Sequence, residues 1–116
     1  MSRTDAERIT DALTHIDILR SHLTRGTLAD ATVADAVALR LAAAIEALHT
    51  RDGALEERLF GTGWHAIWSV RNRIAHGYAV FDLTIIRATV ERDLPEFEER
   101  LRRGLDEQRT EAGDPR

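Results

Sequence analysis

The chain has no cysteine and no lysine, only two prolines, and no apolar run long enough to span a membrane. Without cysteine there is no disulfide framework and no thiolate metal site. With so little proline, few positions interrupt a helix. The lack of a long apolar stretch excludes a membrane-spanning helix. Met1 is not followed by a leader pattern, so the expected compartment is the cytoplasm. Positive charge is also not in excess: the formal net charge is −4, which argues against broad, sequence-independent binding to nucleic acid. It leaves room for a local basic site. All sixteen basic residues are arginine, which coding bias explains by itself. Arginine does suit planar, two-pronged phosphate contacts better than lysine.

What is present is helical. At 116 residues, 43% hydrophobic and 31% charged, the chain has the size and composition of one globular domain with a single core. Residues 1–105 read as that domain and residues 106–116 as a polar, frayed tail. Thr4-Asp5-Ala6-Glu7 forms a capping box. Behind it, Ile9, Ala12, Leu13, Ile16, Leu19 and Leu23 fall on one stripe at helical spacing, with Gly26 as the stop. A second helix, from Thr27 or Asp30 to Thr50, is apolar almost all round and predicts the centre of a bundle. A short helix, Ala54 to Leu59, and a third long one, from Trp64 to about Gly77, follow. The last begins after Asp82 and carries Leu83, Ile86, Val90, Leu94, Phe97 and Leu101 on one face, with Pro95 expected to kink or divide it. The expected fold is all-α: an antiparallel bundle of four to five helices.

The third long helix is the unusual one. At about 100° per residue, Trp64, Ile67, Trp68, Ala75 and Tyr78 share a stripe that should face the core, and Arg71 falls in its middle. Beside it His65, Ser69, Asn72 and His76 form a polar strip. A buried guanidinium needs a partner, because arginine does not discharge by losing its proton. Glu46, in the second helix, is the obvious carboxylate. Pairing with Glu46 would by itself account for Arg71, and a histidine near a helix C-terminus gains from the helix dipole whether or not it has chemistry to do. No metal is expected: His65 and His76 are eleven residues apart, about 16 Å along a helix, and His15, His22 and His49 show no ligand spacing. There is no glycine-rich phosphate loop and no nucleophile elbow, so no cofactor is expected either.

The spacing Arg-x4-His-x-Tyr, here Arg71, His76 and Tyr78, resembles the signature of HEPN-domain proteins of the HepT branch. Gly63-Trp64-His65-Ala66-Ile67 is similar to that family's tryptophan-led helix start, and Asp93-Leu94-Pro95 to the Asp-Leu-Pro that follows its motif. Ala36-Val37 through Leu41, then Glu46-Ala47, resembles its second helix, except that Ile45 stands where the family usually has glycine. The resemblance covers roughly residues 10–105.

That resemblance implies a HEPN-like homodimer acting as a metal-independent RNA endonuclease, the toxin half of a toxin–antitoxin system. It implies catalytic roles for Arg71 and His76, with Asn72 and Arg73 positioning phosphate or ribose. Tyr78 would be the acceptor of AMP from a cognate minimal nucleotidyltransferase antitoxin, or would be covered by it. A base of near-neutral pKa beside a fixed guanidinium suits attack of a 2′-hydroxyl on its own phosphate. Arg71 and His76 lie about 140° apart around a helix, which favours a site assembled from two copies. Two other readings stand beside this: a non-catalytic helical module that holds substrate for a nucleotidyltransferase, and a purely structural helical dimer.

Overall fold

The ends of the first two helices are written in local side-chain chemistry. In the computed structural model, which describes residues 3–76 and 83–111, Thr4 and Glu7 form the reciprocal capping box: Glu7 accepts from the Thr4 amide at 2.9 Å and donates its own amide to the Thr4 hydroxyl at 3.1 Å. Helix α1 (Asp5–Leu23) starts there. Asp30 caps α2 (Ala31–Ala47) by accepting from the Thr32 amide at 2.9 Å. The chain continues through α3 (Ala54–Phe60), a 3₁₀ turn (Gly61–Gly63), α4 (Trp64–His76), α5 (Leu83–Ala88) and α6 (Leu94–Glu111). No strand occurs among the described residues, and the fold is all-α. Gly77, Tyr78 and Asp82, with the final residues of the tail, lie outside the described residues.

Side-chain contacts fix the helix directions. Arg8 near the start of α1 reaches the carbonyls of Ala47 and His49 at the end of α2, and His15 meets Arg40 further along, so α1 and α2 are antiparallel. Arg20 pairs with Glu98 while Ile9 lies against Gly104, which makes α6 antiparallel to α1. Glu46 meets Arg71 and His49 meets Trp68, so α4 runs antiparallel to α2. The core between them is aliphatic: Ile9, Ile16, Leu19, Val37, Leu41, Ile45, Leu55, Leu94 and Leu101 are sealed from solvent. Each such side chain contributes about 1.5–3 kcal/mol by leaving water. No helix among the described residues is long and apolar enough to cross a membrane.

The structure departs from the sequence pattern in three places. First, α2 is buried on one face only; Leu39, on the other, is 66% exposed. The all-round apolar pattern is largely alanine, which favours a helix without demanding burial. The helix also ends at Ala47, and His49 and Thr50 belong to the turn that follows. Second, the last helix is divided as expected, but ahead of Pro95 rather than at it. The missing Pro95 amide and the bulk of its ring are absorbed by a π-helical turn, Thr89–Asp93, in which the Leu94 amide donates to the Thr89 carbonyl, five residues back. Third, α6 continues to Glu111, through residues whose polar composition reads as tail.

Candidate active site

Helix α4 is entered through Gly61, which holds a left-handed φ of +57° that a side chain would disfavour. The chain then turns through the 3₁₀ segment into Trp64. The face that α4 turns to the core is not the tryptophan stripe. Ile74 is its only buried residue, with Ile67 and Val70 packed partly against the core. That face is rotated by about 80° from the expected one, at about 100° per residue. Trp64 and Trp68 therefore lie at its margin, in a ladder of stacked rings. Phe97 stacks on Phe60 at 5.2 Å, Phe60 on Trp64 at 5.9 Å, Trp64 on Trp68 at 5.7 Å, and Trp68 on His49 at 4.6 Å.

Arg71 sits at the end of that ladder. Its guanidinium carbon is 4.8 Å from the centre of a Trp68 ring, a cation–π contact. Its Nη2 is 3.3 Å from Glu46 Oε1, and its Nη1 donates to Asn72 Oδ1 at 3.2 Å. Arg71 is thus at the edge of the buried face rather than its middle, with 20% of its side chain exposed against 59% for Glu46. Two of the five guanidinium N–H groups are engaged. Nε is buried and has no acceptor among the described residues.

Asn72 is half-buried beside Arg71, and its side-chain oxygen is oriented by the guanidinium. His76 is exposed at the last turn of α4, and Arg73 is exposed as well. Along the same strip His65 is exposed and Ser69 partly so. Arg71 and His76 are not brought together within one chain: five residues of regular helix separate them by about 7.5 Å along the axis and about 140° around it. Tyr78 lies outside the described residues. Among the described residues no three histidines or carboxylates cluster as metal ligands.

Two residues close to this site escaped the sequence reading. Glu56 is 2% exposed and is the one charged side chain of the core among the described residues. It accepts from both the amide and the hydroxyl of Thr50, and its Oε2 is 3.4 Å from His49 Nδ1. Burial pushes this carboxyl up, but donation from Thr50 and the nearby His49 outweigh it and hold it below the usual carboxylate value. A glutamate at the third position of a helix is a capping signal. Glu56 occupies that position in α3, yet reaches past the Gly53 cap to Thr50. The sequence does not reveal that reach, nor that His49 lies on Trp68.

The all-α bundle of antiparallel helices is consistent with a HEPN-like fold. The family model described as "Ribonuclease HepT-like" matches residues 9–103, and the chain belongs to that family. Nuclease activity is thereby indicated at the level of the family. No curated protein and no solved structure matches the chain.

Proposed function

We infer that the chain is a metal-independent RNA endonuclease and the toxin component of a toxin–antitoxin pair in the cytoplasm. The observation that carries this reading is the state of Arg71: a guanidinium held by Trp68, Glu46 and Asn72, with N–H groups left for an anion, on the helix that ends in an exposed His76. In the reaction, His76 takes the proton from a ribose 2′-hydroxyl, and the 2′-oxygen attacks the adjacent phosphorus. The bond to the 5′-oxygen breaks, leaving a 2′,3′-cyclic phosphate and a 5′-hydroxyl. The leaving oxygen takes up a proton, from a second imidazole or from solvent. Arg71 offsets charge on the non-bridging oxygens, and Asn72 and Arg73 position phosphate or ribose.

The site is assembled from two copies. In one chain Arg71 and His76 point to different sides of α4, and α2 presents an exposed Leu39 beside small residues such as Ala36 and Ala43 on its outer face. A two-fold contact would bury this face. The acidic net charge favours a second reading, a non-catalytic module that assists a nucleotidyltransferase. Incubating the purified chain with RNA in excess chelator separates the two: new ends bearing cyclic phosphate support the nuclease, and intact RNA supports the module. Under the first reading Tyr78 is the point of control. Co-expression with a minimal nucleotidyltransferase and ATP should add AMP to Tyr78, read by intact mass, and silence cleavage. A silenced complex with unmodified Tyr78 would mean that the partner acts by covering the site.

A further inference from the structure

His49 is a surface residue held like a core residue. Its side chain is 54% exposed, yet α3 and α4 contact its ring and α1 contacts its backbone carbonyl. From α1, Arg8 Nη1 donates to the His49 carbonyl at 3.2 Å and reaches the Ala47 carbonyl at 3.5 Å, tying down the end of α2. From α3, the buried Glu56 carboxylate stands 3.4 Å from His49 Nδ1. From α4, the Trp68 indole stacks on the imidazole at 4.6 Å and 26°. Glu56 is in turn fixed by both donors of Thr50. Holding an exposed ring in one rotamer costs conformational entropy, so such convergence calls for a return in order elsewhere.

The place where that order arrives is Trp68. The same indole touches His49 and carries the Arg71 guanidinium at 4.8 Å. Two other groups hold Arg71. Glu46 is mostly exposed, at 3.3 Å, and Asn72 is a neutral acceptor on the same helix. An exposed ion pair fixes a long side chain poorly. A planar guanidinium over a fixed indole face is fixed in height and tilt.

We propose that His49 is a positioning residue for Arg71, acting through the indole of Trp68. The series runs from the His49 ring to the Trp68 indole and on to the guanidinium, with Glu56 a secondary support beside the imidazole. This role rests on the ribonuclease reading, in which Arg71 meets the scissile phosphate in the transition state. His49 itself touches no substrate. Misplacing a charge-stabilising group by a fraction of an ångström lowers turnover more than it weakens substrate binding.

The experiment compares wild type, His49→Ala and His49→Phe by two readouts: steady-state cleavage of an RNA oligonucleotide, and the Nε–Hε resonance of Arg71 in nitrogen-15 spectra. His49→Ala should lower kcat about tenfold with little change in KM, and should shift the Arg71 resonance. His49→Phe keeps a ring to stack on Trp68 without the Glu56 contact, and should restore most of both. If His49→Ala leaves either readout at its wild-type value, or if Phe restores neither, the proposal is overturned. Should the wild type cleave no RNA, the ribonuclease reading fails, while the Arg71 resonance still decides whether His49 positions that side chain. Should His49→Ala fail to fold, His49→Gln takes its place under the same criteria.

Discussion

The two sides of α2 are built on different principles. Toward α1 and α6 it faces a sealed aliphatic core, where Ile9, Ile16, Leu19, Val37 and Leu101 are fully buried. At its C-terminal end it meets α3 and α4 through rings, charges and half-buried side chains, and α4 contributes one buried residue, Ile74. The first region derives its stability mainly from apolar area, and its polar pairs, such as Arg40 with His15, add little to it. The second obtains position from stacking and hydrogen bonds, at the cost of an Arg71 Nε–H with no acceptor among the described residues and a buried Glu56. A buried N–H without an acceptor costs about 1–3 kcal/mol. Stability and chemistry are therefore separable on this fold, and substitutions should sort accordingly.

The largest effect on folding belongs to the aliphatic side. Leu101→Ala removes a fully buried side chain of α6 and should destabilise the protein by about 2–5 kcal/mol in urea unfolding. The Arg71 site of the remaining folded molecules should be unchanged. The reverse case is Arg71→Lys, which keeps a positive charge but loses the planar fork and its seat on Trp68. It should lower RNA cleavage about a hundredfold and leave the urea midpoint near wild type. A large loss of stability from the lysine substitution would show that the two regions are one cooperative unit.

The smallest effect is a pH response on the stable side. Arg40 Nη1 lies 3.1 Å from His15 Nδ1, so the imidazole accepts there only while that nitrogen carries no proton. Burial first, and the Arg40 charge second, hold the His15 pKa below its usual value. The unfolded chain then takes up this proton at a higher pH than the folded one. The stability gained is present above the ordinary histidine pKa, about 6.5, and is lost as pH falls from there toward the depressed folded value. Urea midpoints measured at descending pH should fall through this window for wild type and fall less for His15→Gln. Equal slopes would remove His15 as the source.

The same contrast explains what the sequence made legible. The aliphatic side is periodic, so the α1 stripe from Ile9 to Leu19, the Thr4–Glu7 capping box and the Asp30 cap are local patterns that can be read directly. The Arg71-to-His76 motif was equally visible, because its residues are neighbours on one helix. The facing of α4 was not. Two tryptophans dominate its apolar stripe, but large rings stack at the margin while Ile74 and Ile67 fill the interior. His49 and Glu56 were missed because their meaning depends on a turn that folds Thr50 back over α3, and on the approach of α4 from nineteen residues away in the chain. The π-helical turn ahead of Pro95 is a choice between kinking and widening that a lone proline does not specify.

The central claim is that His76, exposed at the end of α4, carries the proton of an RNA-cleaving reaction. Wild type and His76→Ala should be compared in initial rates on the same RNA, in excess chelator, with circular dichroism confirming equal folding. A loss of at least about a hundredfold in the alanine variant is the expected result. Equal rates in the two proteins would contradict it.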